Sequence, residues 1–142
     1  MPFVRVWIHL VWSTKNREPL MNSGLRFKIR RFLKENSEEK NIHLDIVNGY
    51  KDHLHCLIAL KPLQSIAAVV QQLKGSSSKW INDQKFSKDY FEWQDDYFAI
   101  SVSESNVKKV RSYIKNQVIH HRNKSFEDEM KIFERLLTEK SR

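Results

Sequence analysis

Asp52-His53-Leu54-His55-Cys56 sets two imidazoles two residues apart. In an extended strand, residues two apart project from the same face. His53 and His55 would therefore stand side by side while Leu54, Cys56, Ile58 and Leu60 point the other way. Neutral imidazole nitrogens are common metal ligands near pH 7, so a divalent ion could bridge the pair. Two solvent-facing histidines on a polar strand have the same spacing. A second set lies in Ser112-Tyr113-Ile114-Lys115-Asn116-Gln117. Tyr113 and Gln117 are four apart, one turn from each other on one helix face. They flank an apolar stripe of Val110, Ile114 and Val118. A boundary tyrosine packing its ring at the edge of a core fits that pattern equally well.

The two sets make sense as one device. An ion on His53 and His55 could take the amide oxygen of Gln117 as a third ligand, with positions left for a phosphate oxygen and water. Tyr113 could be the nucleophile. A phenol with a pKa near ~10 is weak until it is deprotonated or aimed. Attack on a phosphodiester would give a phosphotyrosine and a free hydroxyl. That ester keeps the energy of the bond, so a second hydroxyl could reverse the step without ATP.

Composition is consistent with this chemistry. The chain has 142 residues, 40% of them hydrophobic, which suits one compact domain over 1–142 and excludes wholesale disorder. Lys plus Arg is 25 against 17 Asp plus Glu, a net +8. Residues 1–126 hold 21 of the basic and 12 of the acidic residues, so the body is the basic part. A basic domain often meets nucleic acid, because neutralising phosphates releases counterions. With 3 Gly, no phosphate-loop or dinucleotide glycine fingerprint can be built, so no nucleotide cofactor is expected. Val6–Trp12, the longest nearly apolar run, is far short of a bilayer span, and no membrane partner is expected. One cysteine and no visible secretion signal suggest a reducing, cytoplasmic setting.

The elements that must position these side chains follow from periodicity. Phe3–Trp12 predicts a strand, apolar on both faces and hence central. Leu25, Ile29, Phe32 and Leu33 predict a helix ending near Lys40. Ile42–Asn48 and His53–Leu60 predict two strands joined by a turn over Gly49–Asp52. Ile66, Val69, Val70 and Leu73 predict a second helix, weakened at Gly75–Ser78. Trp93–Val102 predicts a fourth strand, and Asn106 to about Arg122 a third helix. Ser125-Phe-Glu-Asp128 opens a last helix, about 125–139, carrying Met130, Phe133, Leu136 and Leu137. The order β-α-β-β-α-β is the α+β, ferredoxin-like split βαβ pattern: a four-stranded antiparallel sheet with two helices on one face. Two extra C-terminal helices follow. The second sheet face needs a cover: the third helix, a partner subunit or nucleic acid.

Trp12-Ser-Thr-Lys-Asn-Arg17, Asp52-His-Leu-His55, Leu73-Lys-Gly-Ser-Ser-Ser78, Phe91-Glu-Trp-Gln94 and Tyr113-Ile-Lys-Asn-Gln117, followed by His120-His121, stand in this order in the chain. As an ordered set they resemble the single-tyrosine HUH transposases (His-hydrophobic-His) of the insertion-sequence 200/605 type, from about Phe3 to Phe133. The resemblance implies a catalytic core over about 3–123, with His53, His55 and Gln117 as ligands of Mg²⁺ or Mn²⁺ and Tyr113 as nucleophile. It implies single-stranded DNA with a hairpin as substrate, a 5′-phosphotyrosine intermediate with a free 3′ hydroxyl, and a homodimer with joined sheets in which Tyr113 can act in trans.

Other residues suit DNA. Trp12, Lys15 and Arg17 form a basic-aromatic exit from the first strand, fitted to base stacking and backbone contact. Lys74 and Ser76, Ser77 and Ser78 could meet phosphates, and Lys108, Arg111 and Lys115 make the third helix basic. His9 could reach the face of His53 and His55, and His120 and His121 could lie near metal or phosphate. Trp80, Trp93, Tyr97 and Phe98 read as core or subunit contacts, and Cys56 as an inert core thiol. Three rival functions remain at this level. They are a host-adopted relative cleaving repeated chromosomal hairpins, a metal-dependent nuclease using water, and a non-catalytic ferredoxin-like nucleic-acid binding module.

Overall fold

A computed structural model describes residues 3–120 and 125–131. Its elements are β1 (Val6–Ser13), α1 (Ser23–Glu39), β2 (His43–Gly49), β3 (His53–Leu60), α2 (Ile66–Asp83), β4 (Phe98–Val102), α3 (Val107–Lys115) and α4 (Gln117–His120). A further helical segment, α5, covers residues 126–131. The strands form one antiparallel sheet in the order β2-β3-β1-β4, as the split βαβ reading requires.

The two central strands are β1 and β3, and each buries side chains on both faces. On one face Ile8, Leu10, Trp12, Leu54, Cys56 and Ile58 pack under Leu25, Ile29 and Leu33 of α1 and Val69, Val70 and Leu73 of α2. On the other, Trp7 and Leu57 meet Val107 and Ile114, so α3 is the cover that this face needs. α1 starts at Asn22, whose side chain accepts the Leu25 N–H at 2.9 Å. α2 starts at Ser65 in the same way, capping Ala68 at 3.1 Å.

Three expectations shift. α2 runs unbroken through Gly75 to Asp83. Ser76, Ser77 and Ser78 turn their hydroxyls back to helix carbonyls of the preceding turn, so they decorate the helix rather than end it. The fourth strand begins only at Phe98; Trp93 makes a single bridge to Thr14. Between them the Lys74 ammonium takes the carbonyls of Gln94, Asp95 and Asp96, which a ladder would otherwise use. The long third helix divides at Asn116, where ψ has turned to 25°. The Asn48 side-chain amide donates to the carbonyls of Ile114 and Lys115 at 3.1 and 3.0 Å, removing the acceptors that residues 118 and 119 would need. Val118 leaves the apolar stripe and is 39% exposed. Of the last helix only residues up to 131 are described. Phe133, Leu136, Leu137 and His121 lie outside the described residues.

The β2–β3 hairpin sets where His53 begins. Gly49 approaches its partner strand so closely that a Cβ there would lie 2.1 Å from the His53 carbonyl oxygen and 2.8 Å from the Leu54 side chain. Gly49→Ala is expected to destabilise the fold by about 2 kcal/mol, read as a lowered midpoint in thermal or urea denaturation.

Candidate metal and nucleophile site

β3 presents His53 and His55 to the α3 side of the sheet, and both imidazoles are fully buried. They are therefore not solvent-facing, and each buried ring nitrogen needs a partner. For His53, Nδ1 meets Asp52 Oδ1 at 2.8 Å, and Nε2 lies 3.2 Å from Gln117 Oε1. For His55, Nδ1 meets His9 Nε2 at 2.8 Å, and Nε2 lies 2.8 Å from Glu129 Oε1. Both Nδ1 atoms are thus held from behind, and both Nε2 atoms aim at one point. A partner on the far ring nitrogen fixes the orientation of a ligating histidine and raises its basicity. Asp52 does this for His53. His9 can do it for His55 only as a neutral acceptor. Burial and the neighbouring His55 depress its pKa from 6.5 to about 3, so it is neutral.

Gln117 and Tyr113 arrive from the other side. The break at Asn116 starts a new short helix at Gln117 and turns its side chain into the buried site. Tyr113 sits edge-on to His55, ring centroids 5.8 Å apart, and to His9 at 6.4 Å. The phenol is thus beside the imidazole pair within a single chain. Its hydroxyl donates to Glu129 Oε2. Burial pushes its pKa up from the usual value, and the bond and charge of Glu129 push it further. Tyr113 is therefore a neutral phenol in this state.

α5 supplies the residues that sequence reasoning missed. Its start is a reciprocal Ser125–Asp128 cap. Phe126 stacks on His53 with centroids 4.3 Å apart, and Glu129, 2% exposed, brings a carboxylate between the two imidazoles. His53, His55 and Glu129 offer ligand atoms that all lie within 4.8 Å of one another. The signal was available: Glu129 stands three residues after Phe126 and beside Met130, so a carboxylate occupies the inward face of an amphipathic helix. Burial works against a charge on His53, but its bonds to Asp52 and Glu129 prevail and raise its pKa. A negative surround that favours a proton there also favours a divalent cation. The donors, imidazole nitrogen with amide and carboxylate oxygen, fit a divalent metal ion.

The expected DNA contacts divide. Two are corrected. Trp12 is 1% exposed and packs edge-on to Trp93 in the α1/α2 core, so its ring offers no platform for a base. Ser77 is fully buried, its hydroxyl donating to the Leu73 carbonyl and accepting from the Trp93 indole. Ser76 is half-buried and bonded to Gln72, and Lys74 is spent on the 94–96 carbonyls. Lys15 pairs with Glu92 and Arg17 with Glu127, while Arg111 forks onto Asp45. Lys108 and Lys115 are exposed. Trp93 and Trp80 belong to the core region, and Cys56 is buried with its thiol pKa pushed up by burial. Tyr97 and Phe98 instead line a cleft of about 750 Å³ with Asn16, Arg17 and Phe126. This cleft reaches the Phe126 ring that covers His53.

A family model for transposases, IS200-like, matches residues 3–117. The chain belongs to this family. Membership makes it a transposase, a DNA-processing enzyme. Its fold is also that of solved structures. A Deinococcus radiodurans R1 protein provisionally assigned as a transposase superposes with a TM-score of 0.67 at 23% identity, over 82% of this chain and 93% of that one. A REP-associated tyrosine transposase, solved bound to a REP hairpin, superposes with a TM-score of 0.63 at 10% identity, over 85% and 72%. No curated protein matches this IS200-like chain. Among its described residues no helix is long and apolar enough to cross a membrane.

Two outcomes are expected from this geometry. Asp52→Asn, which weakens the acceptor behind His53, should lower Mn²⁺ affinity by about 10- to 100-fold in calorimetric titration. The second concerns acid. The unfolded chain protonates His9 near 6.5 and the folded chain only near 3, so more protons bind the unfolded state between these values. The His9 contribution to stability is full above 6.5 and is lost as pH falls toward 3. In chelator-treated protein, His9→Gln should flatten the acid limb of a plot of melting temperature against pH.

Proposed function

We propose that this transposase cuts and rejoins single-stranded DNA through a covalent bond between Tyr113 and a 5′ phosphate. The reading is carried by one observation: His53 Nε2 meets Gln117 Oε1, and both imidazoles and the Tyr113 hydroxyl meet the buried Glu129 carboxylate. His53, His55 and Gln117 would hold Mg²⁺ or Mn²⁺. Such an ion polarises a phosphodiester oxygen and offsets the charge that grows on it in the transition state.

The chain's own residues do the rest. Tyr113 Oη attacks phosphorus and the bond from phosphorus to the 3′ oxygen breaks. The phenolic proton passes along the existing hydrogen bond to Glu129, and the released 3′ oxygen takes a proton from solvent. The products are a 5′-phosphotyrosine and a 3′ hydroxyl. Attack by another 3′ hydroxyl reverses the step and joins new ends. His9 and Asp52 hold the imidazoles in register. The cleft beside Arg17 and Phe126 is the natural path for a single strand to the site, and a hairpin flanking the cut is the element recognised. DNA as substrate calls for a cytoplasmic enzyme. β4 is an outer strand of the sheet, and a second copy pairing along it would give a homodimer in which Tyr113 of one copy could serve the other.

Incubation with hairpin-bearing single-stranded DNA from the ends of the element that encodes the chain, in Mn²⁺, should give an adduct that survives denaturing electrophoresis. Chelation should abolish it, Tyr113→Phe should abolish it, and Gln117→Ala should slow it by about 10- to 100-fold. An adduct formed by Tyr113→Phe would show that another residue is the nucleophile. Cleavage with no protein-linked product would assign attack to water.

A further inference from the structure

We propose that Glu129 is a fourth protein ligand of the divalent ion, its Oε1 closing the site from α5 while its Oε2 holds the Tyr113 hydroxyl. The inference rests on the metal-dependent reading above and adds a residue to it. Glu129 Oε1 lies 2.8 Å from His55 Nε2 and 3.1 Å from His53 Nε2. Gln117 Oε1 lies 3.2 Å from His53 Nε2. Ligands about 2.1 Å from one ion and at right angles to each other are about 3 Å apart. These three separations are those of neighbouring ligands on one ion.

Charge points the same way. Two neutral imidazoles and an amide bring no negative charge, whereas hard divalent ions are held chiefly by anionic oxygen. Glu129 is the carboxylate whose oxygen lies within reach of both Nε2 atoms. A carboxylate 2% exposed is itself unfavourable without a cation or strong donors around it. The two oxygens also divide the work. Oε1 faces the imidazoles, while Oε2 accepts from Tyr113 and lies 3.2 Å from the Gln117 amide nitrogen. One carboxylate thereby ties the nucleophile to the ion, and the placement of the nucleophile depends on the docking of α5.

Mn²⁺ titrated into DNA-free, metal-stripped protein, followed by electron paramagnetic resonance, tests this without reference to activity. Wild type should bind, His55→Ala should not, and Glu129→Gln should bind at least about tenfold more weakly. Glu129→Asp should fall between wild type and Glu129→Gln, since it keeps the charge but shortens the reach. Circular dichroism melts accompany each variant, and Glu129→Asp carries the comparison if Glu129→Gln does not fold. Wild-type affinity in Glu129→Gln, with loss in His55→Ala, overturns the ligand role alone. Tighter binding in Glu129→Gln also overturns it and makes the carboxylate a competitor for the ion's place. Binding unaffected by His55→Ala removes the metal reading of the whole site, and this inference with it.

Discussion

Two imidazoles on successive outward positions of a central strand impose the constraint from which the rest of this structure follows. Buried ring nitrogens must be partnered, and a sheet face this close to the backbone has few groups that can reach them. The chain meets the demand from four directions. Asp52 comes from the hairpin, His9 from the neighbouring strand, Gln117 from the broken end of the third helix and Glu129 from α5. Because the Nδ1 atoms are held from behind, the Nε2 atoms are left to share one small volume. That sharing, rather than either histidine alone, makes the face a site.

The helix break is the second device. A continuous helix would keep Val118 on the apolar stripe, and its turn would continue past Gln117. Asn48 prevents this by taking two helix carbonyls from β2, two residues ahead of the hairpin turn. Sheet and helix are thus coupled at the place where Tyr113 and Gln117 must be set against His53 and His55. The apolar contacts of Val107 and Ile114 with Trp7 and Leu57 supply the docking. The Asn48 bonds supply the register.

The basic surface bears on function in a different way. Several of the cations that motifs single out are engaged within the chain: Lys15 with Glu92, Arg17 with Glu127, Arg111 with Asp45. The Lys15 and Arg17 pairs are exposed, hence weak and screened by salt, so a polyanion can replace their carboxylates with phosphates. Arg17 is notable among them because it links the cleft beside β4 to α5, the element that carries Glu129.

The sequence by itself determined the element order, the side of β3 that each residue faces, and the residues of the imidazole pair and its tyrosine-glutamine companion. Those follow from periods of two and 3.6 and from side-chain chemistry, which are local properties. It also carried the family, because the ordered motifs span most of the chain. What only the tertiary structure decided concerns partners distant in sequence. Trp12 reads as an exposed aromatic, yet its position on β1 turns it into the core against Trp93. Ser77 reads as a phosphate contact, yet its helix face is the one that meets the Trp93 indole. Trp93 and Tyr97 have strand-like side chains, but the carbonyls of Gln94, Asp95 and Asp96 between them go to Lys74. Glu129 is 74 residues from His55, and no local period relates them. Their meeting depends on how α5 packs back over the sheet, which long-range burial and hydrogen bonding decide.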